Sequence, residues 1–292
     1  MSVTRDAAYP VELQELIDDH LGGLRFAVDP GTERLEAAMR YSLLAGGKRI
    51  RPVLALATAE ALGREPDSVL PLAAALEMVH TYSLIHDDLP AMDDDELRRG
   101  KPTCHVAFGE DVAILAGDGL FAEALRLALT EQEGEPQQVL AAVRELVAAA
   151  SVQGMVGGQF LDVAGAGQVE LRRLHELKTG ALIAASVSCV LALAGPAGPA
   201  TIPLRRFAAE LGVVFQIVDD ILDVTGSDAE LGKPRGSDER HGKATYVSLY
   251  GLDRARALAG ESHARATEAL AQAEADIGRL HQIADYILTR TT

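Results

Sequence analysis

The sequence predicts an all-α fold, and three observations carry that prediction. Ala, Leu and Glu dominate the chain, strand-like alternation is nearly absent, and apolar positions recur at helical spacing. Two stretches, Leu72–Leu84 and Ala181–Leu193, are apolar on almost every face, as in helices enclosed by other helices. The expected architecture is a thick, multi-layered bundle.

Helices are expected at about 10–25, 32–45, 52–63, 68–89, 111–132, 136–163, 169–194, 201–225 and 251–289. Gly46-Gly47 closes one helix and Pro52 suits the first turn of the next, while Gly195-Pro196-Ala197-Gly198-Pro199 can only turn. The segment Gly226–Lys243 is the one long polar loop, and such loops in compact domains are often functional lids. No long Ser, Gly or Pro-rich linker and no fixed-period repeat divides the chain, so residues 1–292 read as a single domain.

Lys and Arg total 27 against 43 acids, a net charge of −16, which argues against nucleic acid or an anionic membrane surface as the main partner. The start has no basic-then-apolar signal and no apolar run reads as long enough to span a bilayer, so a cytoplasmic protein without a transmembrane segment is expected. Cys104 and Cys189 are too few and too isolated for a disulfide framework or a zinc site, and read as small buried side chains.

Two acidic clusters point to chemistry. Gln216, Asp219, Asp220 and Asp223 fall at i, i+3, i+4 and i+7, one stripe on a helix whose other faces are apolar. Three carboxylates there repel one another, so something cationic must sit between them. In the first cluster along the chain, Asp87, Asp88 and Asp93 follow directly on a buried helix. On a straight helix Asp87 and Asp93 would point about 240° apart, so sharing a metal requires a departure from regularity, which Pro90 supplies by kinking the turn before it. Carboxylates without His or Cys suit Mg²⁺ completed by substrate phosphates, and Arg98 and Arg99 would offer forked donors to the same phosphates.

Gly46–Pro52 places Lys48, Arg49 and Arg51 in a tight turn entering a helix, which suits a second phosphate-bearing ligand. The alternative is that these cations complement the end of the preceding helix. Lys178-Thr179-Gly180 interrupts a helix where freed carbonyls and the Thr179 hydroxyl could face a developing positive charge. Lys178, if buried, would need an anion.

With these pieces in order, the sequence resembles the trans-isoprenyl diphosphate synthases, most closely the bacterial farnesyl type. The resemblance runs through GGKRIRP (46–52), HTYSLIHDDLPAMDDDELRRGKPTCH (80–105), GGQFLD (157–162), KTG (178–180), FQIVDDILD (215–223), GK (232–233) and GKATY (242–246). It implies mostly antiparallel helices around a deep cavity (isoprenoid synthase type), a homodimer, and a reaction in which an allylic diphosphate ionises, isopentenyl diphosphate adds to the cation, and a proton is lost to the released diphosphate.

Carried over by residue, the resemblance implies that Asp87, Asp88, Asp93, Asp219, Asp220 and Asp223 share three Mg²⁺ ions. Arg98, Lys178, Lys233 and Lys243 would hold the allylic diphosphate, and Lys48, Arg51, His80 and Arg99 isopentenyl diphosphate. Thr179 and Gln216 would line the cation, with Gln159 and Asp162 as support. Tyr82, five residues and about 7.5 Å before Asp87, and Ser83 would set the floor of the hydrocarbon site. An aromatic floor goes with a C15 product, and geranylgeranyl (C20) is the alternative. Two rival classes stay open: a terpene cyclase, for which the second diphosphate site has no use, and a silent partner subunit, which would have lost aspartates.

Overall fold

The computed structural model describes residues 9–164, 171–226 and 244–291. The polar loop, with Lys233 and Lys243, therefore lies almost wholly outside the described residues. In order, the helices are α1 (Val11–Gly23), α2 (Glu33–Leu43), α3 (Ile50–Ala61), α4 (Leu70–Asp87), α5 (Cys104–Phe108), α6 (Glu110–Thr130), α7 (Pro136–Ala150) and α8 (Met155–Val163). They continue with α9 (Leu171–His175), α10 (Ala181–Leu193), α11 (Thr201–Thr225), α12 (Tyr246–Tyr250), α13 (Leu252–Ala271) and α14 (Gly278–Thr289). The fold is all-α, as expected.

The two stretches apolar on every face become α4 and α10, which are enclosed as expected. Leu72, Leu76, Met78, Leu182, Ile183 and Leu193 have no solvent exposure. Around them α4 packs on α6, α10 on α7, and α11 on α13. Both cysteines are free and buried.

Local differences from the expected helices have physical causes. The span 136–163 breaks after α7, where Gly154 donates to Ser151 O (2.9 Å) and a Cβ on Gly154 would stand 2.1 Å from Ala149 O. The span 251–289 breaks between α13 and α14, in a turn tied across the fold by Asp276 N to Ala61 O (3.3 Å). Helices as short as α5 and α12 leave no periodic signature. A two-stranded hairpin, β1 (Leu97–Arg98) and β2 (Lys101–Pro102), was also not expected. It turns through Arg99 (φ 54°) and Gly100 (φ 72°), the paired positive angles of a tight hairpin.

The expectation that no run could span a bilayer is corrected. Pro66–Asp87, Pro136–Val163 and Leu171–Leu193 are long and apolar enough by length and composition, because isolated charges such as Glu77 do not lower the mean hydropathy enough. The first and third are largely sequestered within the bundle; Pro136–Val163 is mostly not.

Candidate active site

A cavity of about 580 Å³ opens where α4, α8, α11 and the turn before α10 converge. Among the described residues its polar lining includes Arg51, His80, Tyr82, Ser83, Asp87, Arg98, Arg99, Gln159, Lys178, Thr179 and Asp219. Met155, Val156, Phe160, Val163 and Phe215 give it an apolar wall. Residues from five separate motif regions thus meet at one space, with cations, carboxylates and hydrocarbon surface side by side.

The first acidic cluster is irregular, but by termination rather than by the expected kink. Regular helix stops at Asp87, Leu89 N closes on His86 O (3.2 Å), and Asp93 N donates to Asp87 O (2.9 Å). The missing N–H of Pro90 ends the ladder there, and the chain folds back so that Asp87 and Asp93 are joined through their backbones. Asp88 goes elsewhere. It is buried and takes Arg98 Nε at 2.8 and 2.9 Å on its two oxygens. Burial raises its pKa, and Arg98 opposes that rise. Asp88 is outside the cavity lining and holds Arg98, where the sequence had it beside a metal.

The second cluster lies on regular helix as expected, yet its carboxylates have different settings. Asp219 reaches the cavity and is half-exposed, paired with Arg290 at 3.0 Å. Asp220 is buried and accepts from Gln216 Nε2 (2.8 Å) and Tyr246 N (2.7 Å). Gln216 is therefore turned to Asp220 and is not part of the lining. Asp223 is buried one turn further along.

The basic turn separates its three cations by backbone conformation. Gly46 and Gly47 have φ of 84° and 117°, and Arg49 takes a left-handed 53°. That turns Arg49 inward to Glu77 (2.7 Å) and Asp18 (2.8 Å), so it anchors the turn. Arg51 stays at the cavity, 5.9 Å from the Phe215 ring centroid, and Lys48 lies 5.9 Å from that of Tyr286. Arg99 donates to Gly46 O, and a Cβ on Gly47 would collide with its guanidinium, so only glycine allows this approach.

These cations lack enough nearby anions. Burial, then Arg290, lowers Lys48 to about 8; burial, reinforced by Arg99 and Arg290 against the pull of Glu77 and Asp219, lowers Arg51 to about 10. Burial, then Arg51, drives His80 well below its usual pKa, which leaves it a neutral donor. An arriving anion would relieve all three.

The predicted break at Lys178-Thr179-Gly180 is a π-helical turn, Glu176–Gly180. Two glycines admit it: a Cβ on Gly158 of α8 would lie 2.2 Å from Lys178 N, and one on Gly212 of α11 would lie 2.9 Å from Gly180 Cα. Lys178 meets the anion it needs in Asp162, at 2.5 Å. Gln159, expected only as support, is on the cavity wall with both buried amide atoms lacking a hydrogen-bond partner. Sequence reasoning also missed the α8 wall, although Val156 and Phe160 at i, i+4 signal one apolar face, and it missed Arg290, which no motif marks.

Tyr82 projects into the cavity and packs edge-on against Phe121 (5.2 Å) and His86 (5.8 Å). Burial, then Asp87, raises its hydroxyl to about 12.

Such a site, with cations and carboxylates at the mouth of an apolar cavity in a helical bundle, belongs to an enzyme handling anionic, hydrocarbon-bearing substrates. The polyprenyl synthetase family model matches residues 32–287. The chain is 46% identical over 267 residues to the farnesyl diphosphate synthase of Geobacillus stearothermophilus, covering 89% of this chain and 90% of that protein. It is 44% identical over 268 residues to the large subunit 1 of the heterodimeric chloroplastic geranylgeranyl pyrophosphate synthase of Arabidopsis thaliana, covering 88% and 72%. A crystal structure of the Helicobacter pylori geranyltransferase complexed with magnesium and isoprenyl diphosphate superposes with a TM-score of 0.82 at 31% identity, covering 99% of this chain and 96% of that one. The chain belongs to the polyprenyl synthetase family of trans-prenyltransferases.

Proposed function

We propose that this protein condenses isopentenyl diphosphate with dimethylallyl or geranyl diphosphate to form (2E,6E)-farnesyl diphosphate, as a Mg²⁺-dependent cytoplasmic homodimer. The observation that carries the reading is the meeting of Asp87, Asp219, Arg51, Arg98, Arg99 and Lys178 at one apolar cavity.

The donor set fits magnesium. Among the described residues no three His, Cys, Asp or Glu form a ready-made cage, and the cavity carboxylates come from separate helices. That suits an ion completed by water and phosphate rather than by protein alone. Asp87, Asp93 and Asp219 would hold it, with Asp220 and Asp223 supporting Asp219's helix face; three ions is the count this reading carries. Bound there, magnesium neutralises charge on a departing diphosphate.

The protein's own residues do the rest. Arg98, set by Asp88, and Lys178, set by Asp162, hold the allylic diphosphate, with Lys233 and Lys243 assigned to the same role from the sequence. Lys48, Arg51, Arg99 and neutral His80 hold isopentenyl diphosphate. The Thr179 hydroxyl and the unpartnered amide of Gln159 face the cavity, where their dipoles stabilise developing positive charge. The α8 wall excludes water that would quench the cation. No side chain is required as the base, since the released diphosphate takes the proton.

Tyr82 and Phe121 form the floor that favours C15. A C20 product is the second reading, favoured by the likeness to a geranylgeranyl synthase subunit. A homodimer is supported by exposed apolar residues on α6, on α7 and in the turn that follows α7, among them Leu115, Leu129, Leu140 and Val152. The acidic net charge suits a cytoplasmic protein kept in solution.

The test is incubation of the purified chain with Mg²⁺, labelled isopentenyl diphosphate and each primer, then sizing of dephosphorylated products. Farnesol is expected, and absence of any condensation overturns the reading, as does cyclised product without consumption of isopentenyl diphosphate.

A further inference from the structure

Three side chains on or just ahead of α1 hold three consecutive residues of the basic turn. Tyr9 donates its hydroxyl to Lys48 O (2.6 Å). Gln14 Nε2 donates to Gly47 O (3.0 Å), and Asp18 accepts from Arg49 Nε (2.8 Å). Gln14 and Asp18 are one helical turn apart on α1, and Leu13, Ile17 and Leu21 fix that helix in the core. The Tyr9 ring also packs 4.6 Å from that of Tyr286 on α14, the ring that Lys48 Nζ approaches to 5.9 Å. Burial, then Tyr286, holds the Tyr9 phenol well above its usual pKa, so it remains a donor.

The two carbonyls need these partners. The ladder of α3 begins with Val53 N on Arg49 O, which leaves the Gly47 and Lys48 carbonyls outside it. A carbonyl oxygen is the negative pole of its peptide, and a trans peptide points its N–H the opposite way. Turned to Tyr9 and Gln14, both negative poles are withdrawn from a site of cations, and the N–H groups of Lys48 and Arg49 face away from α1. Without those two donors the turn would be held less firmly at its glycine pair, where positive φ at Gly46 and Gly47 marks a permissive backbone, and Lys48 would move with it.

We propose that Tyr9 and Gln14 are positioning residues for isopentenyl diphosphate, which hold the Gly47 and Lys48 carbonyls off the ligand and fix the backbone from which Lys48 reaches it. This role rests on the assignment of the basic turn to that substrate. Neither side chain touches the substrate in it, so their loss should act on one substrate alone.

Tyr9→Phe removes only the hydroxyl, and Gln14→Met removes the amide donor at nearly constant shape. The Kd of isopentenyl diphosphate is measured by calorimetry without a primer, and kcat and both KM values by steady-state kinetics. Tyr9→Phe should weaken isopentenyl diphosphate by about three- to tenfold and Gln14→Met by about threefold. In both, kcat and KM for the allylic diphosphate should match wild type. Because Tyr9 acts through Lys48, its loss should cost less in a Lys48→Ala background. Unchanged affinity in both variants, an equal loss for both substrates, or an undiminished penalty beside Lys48→Ala overturns the proposal and leaves the function reading intact. Wild-type protein that binds no isopentenyl diphosphate overturns both.

Discussion

Arg98 lies across the carboxylate of Asp88, its Nε 2.8 and 2.9 Å from the two oxygens, and this pair separates two aspartates that are neighbours in sequence. Asp87 faces the cavity and Asp88 faces away from it. Removing their charges should therefore have different signatures. Asp87→Asn should raise the Mg²⁺ concentration needed for half-maximal rate, with partial rescue at high Mg²⁺. Asp88→Asn should free Arg98 and raise KM for the allylic diphosphate by about 10–100-fold, with no rescue. Rates across a Mg²⁺ series check this, and rescue of Asp88→Asn by Mg²⁺ would return Asp88 to the metal.

The π turn that presents Lys178 and Thr179 is held between two glycines on different helices. Gly158→Ala would place a methyl 2.2 Å from Lys178 N, where only backbone can yield. The expected cost is about 1–3 kcal/mol of stability, with a fall in kcat exceeding any change in KM for isopentenyl diphosphate. Gly260→Ala, with open space around the position, serves as the control. Thermal melts with steady-state kinetics decide, and a variant matching wild type in both would remove the glycine from the account.

How much of this was legible follows from how far each signal reaches along the chain. The stripe Gln216, Asp219, Asp220 and Asp223 was readable because helical spacing alone aligns it, and α4 and α10 because every face is apolar. The break at Thr179 was readable from Gly180. The roles of Lys48 and Arg49 were not separable, since a left-handed angle at Arg49 sends it to Asp18 and Glu77. Arg290 meets Asp219 across 71 residues of chain, a distance over which periodicity carries no information. The inward turn of Gln216 depended likewise on Tyr246 N fixing Asp220 from another helix.

Tyr82 gains its rigidity from Phe121, 5.2 Å away and edge-on. Tyr82→Ala removes the ring that blocks the cavity and should shift the dominant product from C15 to C20 or longer. Phe121→Ala should act in the same direction more weakly, by loosening Tyr82. Chain lengths are read from dephosphorylated products, and unchanged lengths in Tyr82→Ala would locate the floor elsewhere.

Leu115 is 55% exposed on α6, and Val152, between α7 and α8, is 77% exposed, and both belong to the apolar surface assigned to the proposed dimer. Leu115→Asp combined with Val152→Asp should convert a dimer to monomers in sedimentation velocity. A dimer that survives both changes must use another face.

Lys48 sets an alkaline limit. Its pKa is lowered from 10.5 to about 8 by burial, then by Arg290. A bound diphosphate would favour the ammonium and raise that value again, so binding takes up a proton wherever the free protein has lost it. The Kd of isopentenyl diphosphate should thus be flat below pH 8 and weaken by about tenfold per unit above it. Folding responds with the opposite sign: the cost of burying a charged Lys48 is fully present below pH 8 and is relieved as pH rises from 8 towards 10.5. Lys48→Arg, which keeps its charge, should bind with little pH dependence over pH 7 to about 9.5, the arginine pKa lying above 12. Calorimetric Kd values for both proteins across that range check the assignment, and equal slopes would place the titrating group elsewhere.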